Sequence, residues 1–215
     1  MTDRHERLRS AHLYLVCDEQ GDGFLATVLG AGVDIVQLRM KDAGDDAIVA
    51  AGQRFARSAA THRALFILND RPDLVAATGA DGVHVGQDDV AVSEARAIVG
   101  PDRLIGLSTH SPAQVDAAAD LDVDYIGVGP VHATPTKPGR AAVGLGLVGY
   151  AAEHASVPFF AIGGISPENI AAVRSAGAKR IAVVRALTDA SDPARAARQL
   201  RHGISAAGGV RLGAA

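Results

Sequence analysis

The chain is poor in aromatic side chains: they make up 4% of its 215 residues, against 48% for all hydrophobic types. A core drawn from this composition has to be aliphatic, packed from Ala, Val, Leu and Ile. There is a single cysteine, Cys17, which excludes an intramolecular disulfide and suits a reducing compartment. Neither sign of charge dominates; the formal net charge is −3. That excludes nucleic-acid binding by bulk electrostatics, so an anionic ligand would have to be held by a few placed cations. No apolar run approaches the roughly 18 residues of a membrane span. The opening "MTDRHERLRSAH" lacks the apolar stretch of a signal peptide. A cytoplasmic protein is expected, and the length suits one domain better than two.

What is present is a regular alternation. Short apolar runs occupy 13–18, 34–40, 64–70, 82–86, 104–110, 125–131, 159–165 and 180–187. Most are nearly continuous in Val, Ile and Leu, as in parallel strands buried on both faces. Ala-rich helical segments lie between them. In 45–62, Ile48, Ala51, Phe55 and Ala59 fall on one helical face. Ser111–Pro112 and Ser166–Pro167 read as N-cap and first helical residue, the second helix stopping near Gly177. Eight strand–helix units predict an α/β fold of the (β/α)8 TIM-barrel type. An open doubly wound sheet is the alternative, but "EQGDGF" after the first strand is not its G-x-G-x-x-G turn. The expected layout is an N-terminal polar extension over 1–12, a single catalytic barrel domain over 13–205, and a flexible tail over 206–215.

In such barrels function collects at the C-terminal strand ends. The second run ends in "QLRMK", and the spacing of two puts Gln37, Arg39 and Lys41 on one face. Two cations and an amide suit a phosphate or pyrophosphate, or else form a solvated strand end. The third run ends in Asn69–Asp70 and the fourth leads into "GQDDV". Asp70 with Asp89 would fit Mg²⁺ beside a phosphate; either alone could be a helix cap, and their common side with Arg39 and Lys41 favours metal. Ser108 at the end of the fifth run could meet ligand or bond local backbone. His84 and Cys17 read as core residues, and no Ser-His-Asp triad is evident. The glycines of "AIGGIS" let backbone N–H groups approach a phosphate. Between the two anion sites lies "GPVHATPTKPG", whose Thr134, Thr136 and Lys137 could touch both.

Taken in order, these motifs resemble the thiamine-phosphate synthase (thiamine-phosphate pyrophosphorylase) family, from about Leu13 to Leu187. "QLRMK" resembles its Q-x-R-x-K, "GQDD" its G-Q-[ED]-D, and "GPVHATPTK" its G-P-[IV]-[FY]-x-T-x-T-K. The resemblance implies that 4-amino-2-methyl-5-hydroxymethylpyrimidine diphosphate is bound by Gln37, Leu38, Arg39, Met40, Lys41, Asn69, Ser108 and Lys137. It implies thiazole phosphate, or its carboxylate form with loss of CO₂, at Thr134, Pro135, Thr136, Gly164, Val184 and Arg185, and one Mg²⁺ per subunit at Asp70 and Asp89. Lys137, Ser108 and Arg39 are then the catalytic residues of a transferase making thiamine phosphate and pyrophosphate. Its partners would be small molecules, not nucleic acid or membrane, with room for a homo-oligomer. Two residues depart from the pattern: His132 replaces an aromatic, and Arg185 a small hydroxyl residue. A thiazole tautomerase on the same fold would have no use for paired carboxylates, and a non-catalytic sensor would bind without turnover.

Overall fold

The computed structural model describes residues 3–133 and 141–205. Eight parallel strands close into a barrel in sequence order: β1 (Leu13–Cys17), β2 (Ile35–Leu38), β3 (Leu65–Asn69), β4 (Gly82–Val85), β5 (Leu104–Thr109), β6 (Tyr125–Val128), β7 (Phe159–Ile162) and β8 (Ile181–Val183). The (β/α)8 expectation holds. Each strand is shorter than its apolar run, most of all the last. Where 180–187 reads as one strand, β8 ends at Val183 and Arg185–Thr188 turns into a helix. Apolarity persists there because the helix also faces the core, with Leu187 fully buried.

Alternate residues face opposite sides of the barrel wall. Tyr14, Val16, Ile35, Leu65, Ile67, Leu104, Tyr125, Phe160 and Ala182 form one cluster inside it. Leu15, Val36, Leu38, Phe66, Leu68, Val83, Ile105 and Ile126 join a larger cluster that packs against the helices. This double burial is why the strands read as unbroken apolar runs. Helix α1 (Asp3–Ser10) carries Leu8, which joins the interior cluster. The segment expected as a polar extension thus contains a helix tied to the barrel by Arg4–Asp81 (2.8 Å) and His5–Asp124 (2.9 Å). The tail over 206–215 lies outside the described residues.

The outer helices follow in order: α2 (Asp22–Gly30), α3 (Asp45–Thr61), α4 (Val75–Thr78), α5 (Val92–Val99), α6 (Pro112–Ala117), α7 (Gly144–His154), α8 (Ile170–Ser175), α9 (Arg185–Thr188) and α10 (Pro193–Ser205). In α3 the expected face, Ile48, Ala51, Phe55 and Ala59, is the buried one. Ser111 caps α6, its Oγ accepting from Gln114 N–H. Ser166 does not cap α8 as the sequence suggested. A turn intervenes, Asn169 holds the cap position, and the Ser166 hydroxyl donates to Glu168 instead. Pro167 starts the turn rather than the helix, since its fixed φ serves either.

At the opposite rim from the strand ends, three aspartates repeat every second strand. Asp34, Asp81 and Asp124 each accept a backbone N–H from the neighbouring strand: from Leu13, Phe66 and Ile105. Each is also paired with an arginine: Arg201, Arg4 and Arg96 respectively. Charge-assisted bonds of this kind hold adjacent strands in register. No helix among the described residues is long and apolar enough to cross a membrane.

Candidate active site

The C-terminal strand ends surround a cavity of about 230 Å³. Gln37, Arg39 and Lys41 all line it, as their spacing of two requires. Leu38 and Met40 alternate to the other side, where they pack with the helix-facing cluster. Neither lines the cavity. The Arg39 N–H donates to Cys17 O (2.8 Å), which continues the β1–β2 ladder past the strand and fixes the start of the cationic loop. Cys17 itself is buried, and burial pushes its thiol up to about 12. It is a core residue, as read from the sequence, and no nucleophile.

Asn69 and Asp70 reach the cavity from β3, and Asp89 from the loop after β4. Asp70 holds a left-handed backbone, φ +60°, and its N–H donates to His84 O (2.9 Å). Aspartate tolerates that region better than most residues, and such conformations cluster at functional sites. Asp89 turns its carboxylate back so that Oδ2 accepts the Gly86 N–H (2.8 Å). The helix-cap role weighed from the sequence is not the one found: Ala91 holds the cap position of α5, with no side-chain cap, and the Asp89 bond closes the loop before it. The two carboxyl groups meet: burial first, and then Asp89 beside it, raise the pKa of Asp70, while Lys41 opposes the shift. The Lys41 Nζ lies 3.3 Å from Asp70 Oδ2.

This pair fits a divalent cation. Two carboxylates pressed together in a half-buried site repel each other, and a cation between them relieves the repulsion. Among the described residues there is no cluster of three or more His, Cys, Asp or Glu able to hold a metal. Two carboxylates are the share of a shell that Mg²⁺ usually takes from protein, the rest coming from phosphate oxygens and water.

The cavity floor is where the sequence reading fell short. Ser108 lies here, but so do Tyr14, His84, Tyr125 and Phe160. His84 is satisfied, as expected of a core histidine, with Nε2 2.9 Å from Ser108 Oγ and Nδ1 3.2 Å from Tyr125 Oη. It nevertheless faces the cavity. The signal was available: Tyr14, His84 and Tyr125 sit at the inward parity of their strands, opposite glycines in "LIGLS" and "YIGVG". A Cβ on Gly106 would come within 2.2 Å of Tyr125 Cζ and 2.5 Å of His84 Nδ1. Gly106→Ala should therefore destabilise the fold by about 1–3 kcal/mol through overpacking, lowering Tm by several degrees in a circular-dichroism melt. An unchanged Tm would mean that the ring pair is not held there.

On the far side, Gly164, Val184 and Arg185 line the cavity together with Gly163. Gly163 and Gly164 have φ +107° and +62°. A Cβ on Gly163 would meet Pro130 Cα at 2.6 Å, and one on Gly164 would meet His132 Cβ at 2.7 Å. The glycine pair is thus demanded by the loop after β6. His132 packs over Gly164 here. Arg185 is exposed and opens α9, so the first N–H groups of that turn have no carbonyl within the helix to bond. Thr134, Pro135, Thr136 and Lys137 lie outside the described residues.

A model of the family described as thiamine monophosphate synthase matches residues 13–187. The chain is 51% identical over 222 residues to a thiamine-phosphate synthase of Mycobacterium tuberculosis, covering 94% of this chain and 99% of the relative. It is 51% identical over 207 residues to one from Acidothermus cellulolyticus, covering 93% and 98%. Among solved structures, a thiamine phosphate pyrophosphorylase from Pyrococcus furiosus superposes with a TM-score of 0.84 at 29% identity, covering 93% of this chain and 96% of that one.

Proposed function

Because the chain belongs to the thiamine monophosphate synthase family, a family of transferases, we propose that it joins 4-amino-2-methyl-5-hydroxymethylpyrimidine diphosphate to thiazole phosphate, releasing pyrophosphate. The observation that carries this reading is the convergence of Arg39 and Lys41 with Asp70 and Asp89 at one end of one cavity. That is a diphosphate site with carboxylates for a cation, and it serves a departing pyrophosphate better than a proton transfer.

Asp70 and Asp89 would hold Mg²⁺, which when bound would neutralise charge on the diphosphate. Arg39 and Lys41 bind the same group, and Lys137 is proposed to join them as the leaving charge grows. Gln37, Asn69 and Ser108 hold the pyrimidine over the floor. The C–O bond to pyrophosphate breaks, the electron-rich aminopyrimidine stabilises the positive CH₂, and the thiazole nitrogen attacks it. Thr134, Pro135, Thr136, Gly164, Val184 and Arg185 are proposed to surround the thiazole phosphate. No side chain has to act as nucleophile, in keeping with an inert Cys17. Positioning and electrostatics supply the rate. Work in the cytoplasm on small molecules completes the proposal.

Pyrophosphate release tests it. Release should require both substrates and Mg²⁺, and thiamine phosphate should appear in equal amount. Tight binding of both substrates with no release would make the chain a sensor and overturn the proposal.

A further inference from the structure

We propose that Tyr14, Tyr125 and His84 are positioning residues, linking Gln37 to Ser108 in one directed hydrogen-bond chain that sets the Ser108 hydroxyl to donate into the cavity. The links are Gln37 Nε2 to Tyr14 Oη (2.5 Å), Tyr14 Oη to Tyr125 Oη (3.0 Å), Tyr125 Oη to His84 Nδ1 (3.2 Å) and His84 Nε2 to Ser108 Oγ (2.9 Å). The two ends face each other across the barrel: Gln37 on β2, Ser108 on β5.

Direction follows from counting hydrogens. The amide nitrogen of Gln37 has no lone pair to offer, so it donates to Tyr14. Tyr14 then gives its own hydrogen to Tyr125, and Tyr125 gives its hydrogen to His84 Nδ1. Imidazole is left with its hydrogen on Nε2, which donates to Ser108 Oγ. Ser108 accepts there, and its own hydrogen is free for the cavity. Burial pushes the pKa of both phenols up, so each keeps the hydrogen that the chain needs. Gln37, Tyr14, Tyr125 and Ser108 are all buried. Reversing one link alone would set two hydrogens against each other and strand a buried lone pair elsewhere. Reversal from either tyrosine onward makes that phenol oxygen accept twice and leaves its own buried hydrogen without an acceptor in the chain, and reversal of the whole chain requires Gln37 to turn its carbonyl to Tyr14.

The consequence rests on the proposed function. A donating Ser108 selects an acceptor on the bound ring, and a pyrimidine ring nitrogen is one. Tyr14, Tyr125 and His84 thereby orient the pyrimidine substrate while acting through the chain ends.

Two measurements test it. Nitrogen-15 NMR of the ligand-free enzyme, with His84 assigned by comparison with His84→Gln, should place the hydrogen on Nε2. A hydrogen on Nδ1 overturns the direction, whatever the enzyme catalyses. Kinetically, Tyr125→Phe should raise KM for the pyrimidine diphosphate roughly tenfold, the effect of one lost hydrogen bond, leaving KM for thiazole phosphate unchanged. In a Ser108→Ala background the same substitution should add nothing further. Full additivity of Tyr125→Phe with Ser108→Ala would mean that the tyrosine acts only as packing, and would overturn the positioning role. Absence of pyrophosphate release in the wild type would sink the proposed reaction while leaving the NMR result to decide the chain.

Discussion

Asp70→Asn should lose at least ~100-fold in turnover while melting no lower than the wild type. The loss should exceed the roughly 10–100-fold typical of groups that merely support a metal ligand, because the amide is itself a far poorer ligand. The stability half follows from the carboxylate pair. Burial and Asp89 hold the Asp70 pKa above the usual range, so ionising it costs the folded state. Its favourable contribution is present at low pH and is lost as pH rises through the raised value. At neutral pH the neutral variant is relieved of that cost, and asparagine tolerates the left-handed backbone at φ +60°. Asp89→Asn should lose comparable activity, though its Oδ2 also accepts the Gly86 N–H, so it should melt slightly lower. Adding Mg²⁺ should raise Tm of the wild type and not of either variant. Near-normal turnover of both variants at limiting Mg²⁺ would remove the metal from this site.

Gly164→Val should nearly abolish use of the thiazole substrate, while Arg185→Ser changes it little. At φ +62° a β-branched residue is strongly strained, by about 1–3 kcal/mol from the backbone alone. Its Cβ would also press to 2.7 Å from His132 Cβ, moving the loop that leads to Thr134. Together these should raise KM for thiazole phosphate by more than about tenfold. Arg185 is exposed, and an exposed charge contributes about 1 kcal/mol or less. Backbone N–H groups at Val184 and Arg185 survive its replacement by serine. KM for the pyrimidine diphosphate should stay unchanged in Arg185→Ser. Loss of thiazole use in Arg185→Ser with tolerance of Gly164→Val would show that a side chain grips the phosphate.

Much of this was legible in the residues. Eight apolar runs with helical spacers read as a barrel because strands buried on both faces need no alternation. "QLRMK" placed three polar side chains on one face because strand geometry has a period of two, and that period also carried Leu38 and Met40 to the helix side. Strand ends were less legible. The run from 180 to 187 continues apolar through the end of β8 into α9, because both elements bury the same kind of residue. The Ser166 cap failed for a related reason: Ser-Pro suits a turn as well as a helix start.

What the sequence determined by itself was periodic and local: the number of strands, the parity of Gln37, Arg39 and Lys41, and the aliphatic core. Tertiary structure decided what depends on closure. Tyr14, His84, Tyr125 and Ser108 come from β1, β4, β6 and β5, and meet only because a closed barrel turns the inward parity of every strand toward one axis. The same closure sets Asp70 beside Asp89 and rests His132 on Gly164. No spacing along the chain encodes those distances; they follow from the barrel's diameter and strand stagger, which the pairing of all eight strands fixes together.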